Sequence, residues 1–355
     1  MRYNSSVMKT KDSISLISSL ITLLLIGFLC GCSDAPKKEE VIPIKILLLP
    51  KFEIGEITGD VPGEAQFFYD AYLKDADEYV IGSDSSENKL YVKDGLAMYI
   101  LGVGKTNSAI NMMTILDDER FDLSNAYTIS LGCAGGAKGY ITMGDVVIAT
   151  TAIDYDLGHH ADSRDLADQN GTSWFHNMNF DETAKVSLNK NLTDKVFELT
   201  KDIKLNTTDK TRDHLNKAFD GADWAIRDPK VQRGTTLTGD NYWKGEFGHL
   251  NALKMVETYE CPDPYATVEM EDISIGLALK HVGKLDHFII IRACVNTDVF
   301  TLNETPESLW AEHDDPNIFS DEIEKEAVDI FTTAMENELK VVDTIIKAIN
   351  EGKLD

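Results

Sequence analysis

The chain has 355 residues and a formal net charge of −26; a field of that sign repels nucleic-acid phosphates, so no nucleic-acid partner is expected. The acidic residues are spread along the chain, as suits the solubility of an exported protein, and 43% of the residues are hydrophobic, enough for a sizeable core. Cys133, Cys261 and Cys294 lie far apart and without Cys-x-x-Cys spacing, which implies neither a zinc site nor a disulfide framework.

Arg2, Lys9 and Lys11 precede an apolar run from Ile14 to Cys32 that only Ser, Thr and Gly interrupt, the layout of an export signal. The run ends Leu29-Cys30-Gly31-Cys32, with Leu three residues before the second Cys and a small residue just before it, the pattern of a bacterial lipobox. Residues 1–31 then form a lipoprotein signal peptide, Cys32 is the lipidation site, and residues 32–42, with the charged stretch Asp34 to Glu40, form a flexible tether. An uncleaved anchor helix is the competing reading. Both place residues 43–355, a single domain, outside the cytoplasm, and in the first the chain is lipid-anchored to a bacterial membrane. No later run approaches the roughly 18 apolar residues that cross a bilayer, which excludes a multi-span channel.

From Ile44 on, short β-rich apolar runs alternate with helical patterns, as in a mixed or parallel sheet covered by helices. Ile44 to Leu49, Ala97 to Val103, Tyr127 to Leu131, Asp145 to Thr150 and His287 to Ile291 are the expected strands. Asn107 to Leu116 and Met270 to His281 read as helices. From Asp321 to Asn350, Phe331, Met335, Leu339, Val342, Ile346 and Ile349 recur at steps of three and four, which predicts a long amphipathic helix packed on the domain. The Gly/Asn/Asp-rich stretch from Asp156 to Asp181 predicts a long loop.

Glycine turns at strand ends are where open α/β sheets bind ligands. Gly102-Val103-Gly104-Lys105-Thr106-Asn107 leaves a strand and enters a helix, where backbone amides can face an anion or a hydroxyl. Leu131-Gly132-Cys133-Ala134-Gly135-Gly136 is expected to repeat that device in the next strand–helix unit.

Gly144-Asp145-Val146-Val147, Thr238 to Trp243, Glu269-Met270-Glu271 and Ile291 to Asn296 follow in order, and with Leu131 to Gly136 they resemble segments of nucleoside phosphorylases and methylthioadenosine/adenosylhomocysteine nucleosidases. Leu131 to Gly136 followed by Met143-Gly144-Asp145-Val146-Val147 is similar to their Ala-Gly-Gly and Gly-Asp-Val-Val signature. Thr238-Gly239-Asp240-Asn241-Tyr242-Trp243 is similar to their base-binding segment, and Val268-Glu269-Met270-Glu271 to their Glu-Met-Glu ribose motif. Ile291-Arg292-Ala293-Cys294-Val295-Asn296 resembles the strand that ends at the base. The variant with Gly-Asp-x-Tyr-Trp and a terminal Asn most resembles the purine nucleoside permease family, over Ile44 to about Phe300.

The resemblance implies a nucleoside-phosphorylase-like three-layer α/β fold, a central mixed sheet flanked by helices, that cleaves the N-glycosidic bond of a purine nucleoside without a cofactor. Such cleavage passes through an oxocarbenium-like sugar, so the site must hold the hydroxyls, stabilise positive charge and neutralise the leaving base. It assigns Glu271 to the ribose hydroxyls, Met270 to the sugar face, Tyr242 to stacking on the base with Trp243 closing the pocket, and Asn296 to reading the base. Gly102, Gly104, Ala134, Gly135 and Asp240 complete the expected binding residues. The nucleosidases carry Asp, a general acid, where this chain has Asn296; the neighbouring Asp298 is then the candidate acid. Glu53 or Glu56, after the first strand, is where the water-activating Glu is expected, and either fits.

Phosphorolysis would add phosphate as a partner, with Lys105, Ser108 and Arg292 as candidate ligands, but no basic cluster stands out, so hydrolysis is favoured. Asp154, Asp156, His159, His160 and Asp162 match no metal-site spacing, and no metal is expected; they belong to a gating or solvated loop. The family's permease name keeps open a second class, a tethered nucleoside-binding protein that assists transport. Relatives of this fold that build sites between subunits make a homo-oligomer an expectation by analogy.

Overall fold

The computed structural model describes residues 41–83, 88–161, 172–302, 304–305 and 321–355, with side chains of the last helix from residue 329. The signal peptide, Cys32, the tether as far as residue 40 and Asp162 lie outside the described residues; at the tether's expected end Ile42 pairs in parallel with Phe121 and so belongs to the domain. Residues 42–355 form one compact unit. No described helix is long and apolar enough to cross a membrane.

The chain runs β1 (Ile46–Leu49), α1 (Glu64–Phe68), β2 (Asp77–Val80), β3 (Lys89–Lys93), β4 (Leu96–Tyr99), α2 (Lys105–Leu116), β5 (Tyr127–Ser130), β6 (Cys133–Gly136), β7 (Val146–Asp154) and β8 (Lys185–Ser187). It continues through α3 (Lys190–Thr200), α4 (Asp209–Ala218), β9 (Val231–Thr238), α5 (Glu246–Thr258), β10 (Tyr265–Glu269), α6 (Asp272–His281), β11 (Phe288–Thr297) and α7 (Asp321–Asn350). These eleven strands share one mixed sheet in the order β8-β7-β9-β10-β6-β11-β5-β1-β4-β3-β2. A further antiparallel pairing of β11 with β7, Ile290 opposite Ala149, closes the middle of that sheet on itself.

Strands covered on both faces have no solvent side, so their sequences need not alternate. Every residue of β1 and all nine of β7 are buried. The helices cover the sheet through their apolar faces. On α7, Ala334, Met335, Val342, Ile345, Ile346 and Ile349 pack in one cluster with Ile46, Ile129, Val146 and Ile289. Each of the buried Val, Ile and Met side chains among them contributes about 1.5–3 kcal/mol. Polar ends are capped locally: Asn189 Oδ1 accepts the amides of Asn191 and Leu192 at 3.0 and 3.3 Å, and starts α3.

Some element limits differ from expectation. Ala97 to Val103 is strand only to Tyr99, because the chain leaves the sheet for the turn at Gly102. The strand expected to end at Thr150 runs on to Asp154, carried by its pairing with β9. Cys133 to Gly136 does not lead into a helix: it is β6, held between β10 and β11. The expected long loop contains a short antiparallel pair, His159–His160 with Trp174–Phe175, and a helical turn at Met178–Phe180.

Candidate functional site

A cavity of about 150 Å³ opens where parallel strands end. Lys51 and Phe52 follow β1, Val103 follows β4, Gly239, Asn241, Tyr242 and Trp243 follow β9, Met270 and Glu271 follow β10, and Val295 to Asp298 stand at the end of β11; all line it. Ligands bind at this edge of an open α/β sheet because the loops there diverge from a rigid scaffold.

One end of the cavity is charged. Arg292, 1% exposed, donates from Nη2 to Glu269 Oε2 (3.0 Å), Glu271 Oε2 (3.1 Å) and Asp272 Oδ1 (2.8 Å), and from Nε to Asp272 Oδ2 (2.9 Å). Glu269 Oε2 also accepts the amides of Glu271 (2.6 Å) and Asp272 (2.8 Å), so it sets the turn from β10 into α6. Burial, and then the charge of Asp272, push Glu269 up to about 8 against the pull of Arg292. Glu271 Oε1 accepts the Gly104 amide at 3.1 Å. Each of its oxygens keeps a lone pair for a hydroxyl donor.

Glu64, the first residue of α1 and 1% exposed, stands at the same end. Its Oε2 accepts the Lys51 amide at 2.7 Å and its Oε1 the Cys133 amide at 2.8 Å. Gly132 makes room for it: a Cβ there would lie 2.4 Å from Glu64 Oε1, at φ +140°. Burial raises the Glu64 carboxyl above the usual range, against Lys51 and Arg292. Buried Lys51 donates from Nζ to Leu49 O (2.7 Å), Ser130 Oγ (2.9 Å) and Leu131 O (2.9 Å), which uses all three of its protons; burial and Arg292 lower its pKa.

The other end is aromatic and amide-lined. The pairing of β11 with β6 shifts between Cys294 and Asn296, a bulge at Val295 that places Asn296 opposite Gly135. A bulge re-aims side chains at a strand end, and here Val295, Asn296 and Thr297 all reach the cavity. Gly135 lets Asn296 lie close, since a Cβ there would sit 2.9 Å from Asn296 Oδ1. Trp243 stacks on Tyr155 at 4.7 Å and 14°, and Tyr242 lines the mouth at 45% exposure. Asp298, 1% exposed, accepts the Lys138 amide on Oδ1 (2.9 Å) and faces His249 Nδ1 from Oδ2 (2.7 Å).

The structure thus brings Ala134, Gly135, Tyr242, Trp243, Met270, Glu271, Asn296 and Asp298 to one cavity. It does not bring Glu53 or Glu56. Glu53 accepts the amides of Ile54 (2.9 Å), Gly63 and Gln66 (2.5 Å), and so ties the loop after β1 to the start of α1. Glu56 is exposed on that loop. The residue that spacing missed is Glu64, eight residues further on; its signal was an acid just after Gly63 at the start of a short helical run.

Gly102, Gly104 and Asp240 also stand outside the lining. The amides of Gly104 and Lys105 go to Glu271 and to Asp240 Oδ1 (2.7 Å), so protein carboxylates take the place expected for a ligand. Lys105 Nζ pairs with Asp154 (2.9 Å) and Asp156 (2.7 Å), and Ser108 Oγ donates to Gly104 O (2.9 Å), which removes both from phosphate binding. Asp156 also accepts the Asp240 amide (2.7 Å) and Asn241 Nδ2 (3.0 Å), and so braces the loop after β9; His159 and His160 are exposed.

Fold and cavity define the class: an α/β protein with the architecture of nucleoside phosphorylases and nucleosidases. Neisseria meningitidis 5'-methylthioadenosine/S-adenosylhomocysteine nucleosidase superposes with a TM-score of 0.51 at 16% identity, over 86% of this chain and 99% of that one. Helicobacter pylori futalosine hydrolase gives 0.51 at 13% identity, over 86% and 97%. The family is sharper: residues 43–352 match the model of the purine nucleoside permease family, and the chain belongs to it. A probable purine nucleoside permease of Schizosaccharomyces pombe is 29% identical over 164 residues, 41% of this chain and 46% of the relative. The chain therefore spans less than half the length of that curated relative.

Proposed function

We propose that this chain hydrolyses the N-glycosidic bond of a purine nucleoside. The observation that carries the reading is the meeting in one cavity of a buried carboxylate with raised affinity for protons, Glu64, the carboxylate Glu271 and the amide of Asn296. Glu271 accepts the ribose hydroxyls, bonds that strengthen as positive charge builds on the sugar. Met270 lies on the sugar face. Asn296 donates to a purine ring nitrogen, Tyr242 and Trp243 cover the base, and Glu64 takes the proton of the attacking water.

The cations that line the cavity favour water over phosphate as the nucleophile. Lys51 has three protein acceptors, and Arg292 faces three carboxylates. A phosphate dianion there would meet Glu64, Glu269 and Glu271 with no uncommitted cation among the described lining residues.

The family's description favours a second reading, a nucleoside-binding protein that serves transport. One assay separates the readings: purine release from adenosine, inosine and guanosine, with and without phosphate, beside calorimetric titration of each nucleoside. Release independent of phosphate is expected. Release only with phosphate would make it a phosphorylase, and saturable binding without release a receptor.

We further propose that Cys32 carries a lipid and tethers residues 43–355 to an extracytoplasmic membrane face. The lipobox at Leu29 to Cys32 supports this.

A further inference from the structure

The loop that carries the aromatic end of the cavity, Gly239 to Trp243, is held by side chains that do not line the cavity. The Asp240 amide donates to Asp156 Oδ2 at 2.7 Å and Asn241 Nδ2 to Asp156 Oδ1 at 3.0 Å, so both oxygens of one carboxylate serve this loop. Asp156 is held in turn by Lys105, the first residue of α2, whose Nζ donates to its Oδ2 at 2.7 Å and to Asp154 at 2.9 and 3.1 Å. Asp154, the last residue of β7, accepts the amides of Asp156 (2.9 Å) and Leu157 (3.2 Å) and so fixes the turn that presents Asp156. The ring closes through Asp240 Oδ1, which accepts the Lys105 amide at 2.7 Å. Two glycines let the chain come this near: an added Cβ would lie 3.2 Å from Asp240 Oδ1 at Gly104 and 3.3 Å from Asp156 Oδ1 at Gly239.

Asp154, Asp156 and Asp240 all belong to this ring, and among the described residues Lys105 is the cation paired with the first two. The Lys105, Asp154 and Asp156 side chains are 17%, 9% and 19% exposed, so solvent ions screen their charges little. Without the ammonium, Asp154 and Asp156 repel each other, and Asp156 loses its fixed place against the Asp240 amide. The sugar end of the cavity has its own supports. The Gly104 amide, next to Lys105, goes to Glu271 Oε1 at 3.1 Å, but Arg292 Nη2 holds Glu271 Oε2 independently at 3.1 Å. Glu64 is fixed by the amides of Lys51 and Cys133.

We propose that Lys105 and Asp156 are positioning residues for the purine: their ion pair holds Gly239 to Trp243 in the shape that covers the base, and neither touches the ligand. This rests on the hydrolytic reading above, in which Tyr242 and Trp243 cover the base. The lysine that follows the glycine turn thus acts on the base through protein carboxylates and not on an anion. A base loop fixed before the nucleoside arrives needs no ordering on binding, so the bridge acts on affinity and leaves bond breaking to the sugar end.

The test is kinetic, with hydrogen exchange beside it. Lys105→Met should raise KM for base release from adenosine and inosine by about tenfold, the worth of one well-placed hydrogen bond, with kcat within about threefold of wild type. Lys105→Arg, which keeps the charge, should hold KM within about threefold of wild type. Asp156→Asn keeps the shape and removes one charge; it should raise KM several-fold, and it carries the same test if Lys105→Met does not fold. The double variant should lose no more than Lys105→Met alone, because changes within one ion-pair network do not add. By mass spectrometry, the amides of Gly239 to Trp243 should exchange about tenfold faster in Lys105→Met, while those of β9 keep the wild-type rate and show that the variant is folded. Losses that multiply in the double variant, an unchanged KM, or a fall in kcat as large as the rise in KM would overturn the proposal. If the wild-type protein releases no base, the hydrolytic reading fails, and exchange alone decides the bridge: equal rates for this loop in wild type and Lys105→Met would overturn it.

Discussion

Glu64 Oε1 accepts the Cys133 amide at 2.8 Å, and this bond joins the start of the first helix to a strand sixty-nine residues away. It fixes the carboxylate at the charged end of the cavity, with the second oxygen held by the Lys51 amide. Glu64→Gln removes the base and sets an amide N–H against a backbone N–H. Base release should fall by about a hundredfold or more, with nucleoside affinity by calorimetry within a few-fold of wild type. Glu56→Gln should leave both unchanged. A Glu64→Gln protein with near-wild-type turnover would remove Glu64 from the mechanism.

The cavity tolerates no side chain at Gly135, whose added Cβ would stand 2.9 Å from Asn296 Oδ1 and 3.0 Å from Val268 Cγ1. Gly135→Ala should displace the Asn296 amide and weaken nucleoside binding by at least about tenfold, the worth of one well-placed hydrogen bond. The melting temperature should move little. Unchanged affinity would mean that Asn296 does not contact the base.

Glu338, on α7, is wholly buried; its Oε1 accepts the Gly132 amide at 2.8 Å and its Oε2 has no partner among the described residues. Burial holds this carboxyl well above its usual range. Below pH of about 4 the folded and unfolded chains both keep the proton. As pH rises through that range the unfolded chain loses it and the folded chain does not, so this group lowers stability with rising pH. Glu338→Gln, neutral at every pH, should melt at a higher temperature than wild type at pH 7 and show a flatter fall between pH 5 and 8. Parallel melting curves over that range would refute the assignment.

For the tether, Cys32→Ser should abolish incorporation of labelled fatty acid and move the protein from the membrane fraction to the soluble one. Retention in the membrane fraction without lipid would favour the uncleaved anchor helix.

Much of the sheet could be read from local sequence, because a strand buried on both faces is a continuous apolar run and Ile46 to Leu49 and Phe288 to Ile291 are such runs. β9 was harder: Gln232 and Arg233 interrupt it, and Arg233 finds its partners on other elements, Asp194 of α3 and Asp263 just before β10. The Glu269-Met270-Glu271 and Asn296 positions could be picked out because they stand at the ends of β10 and β11, and the ends of parallel strands in an α/β sheet are where a crevice forms.

What the amino-acid order determined by itself was the periodicity: apolar runs for strands, the stepped face of α7, and the motif residues that follow each strand. What only the tertiary structure decided was which charges share a space. Glu53 and Glu64 are both acids after the first strand, and the local sequence separates them only by the Gly63 that precedes Glu64 at the start of a short helical run. Folding sends Glu53 to three nearby amides, and burial beside Lys51, Cys133 and Arg292 makes Glu64 the carboxylate of the cavity. The physical reason is that a carboxylate's affinity for protons depends on desolvation and on charges brought near it from distant parts of the chain, and neither is a property of local sequence.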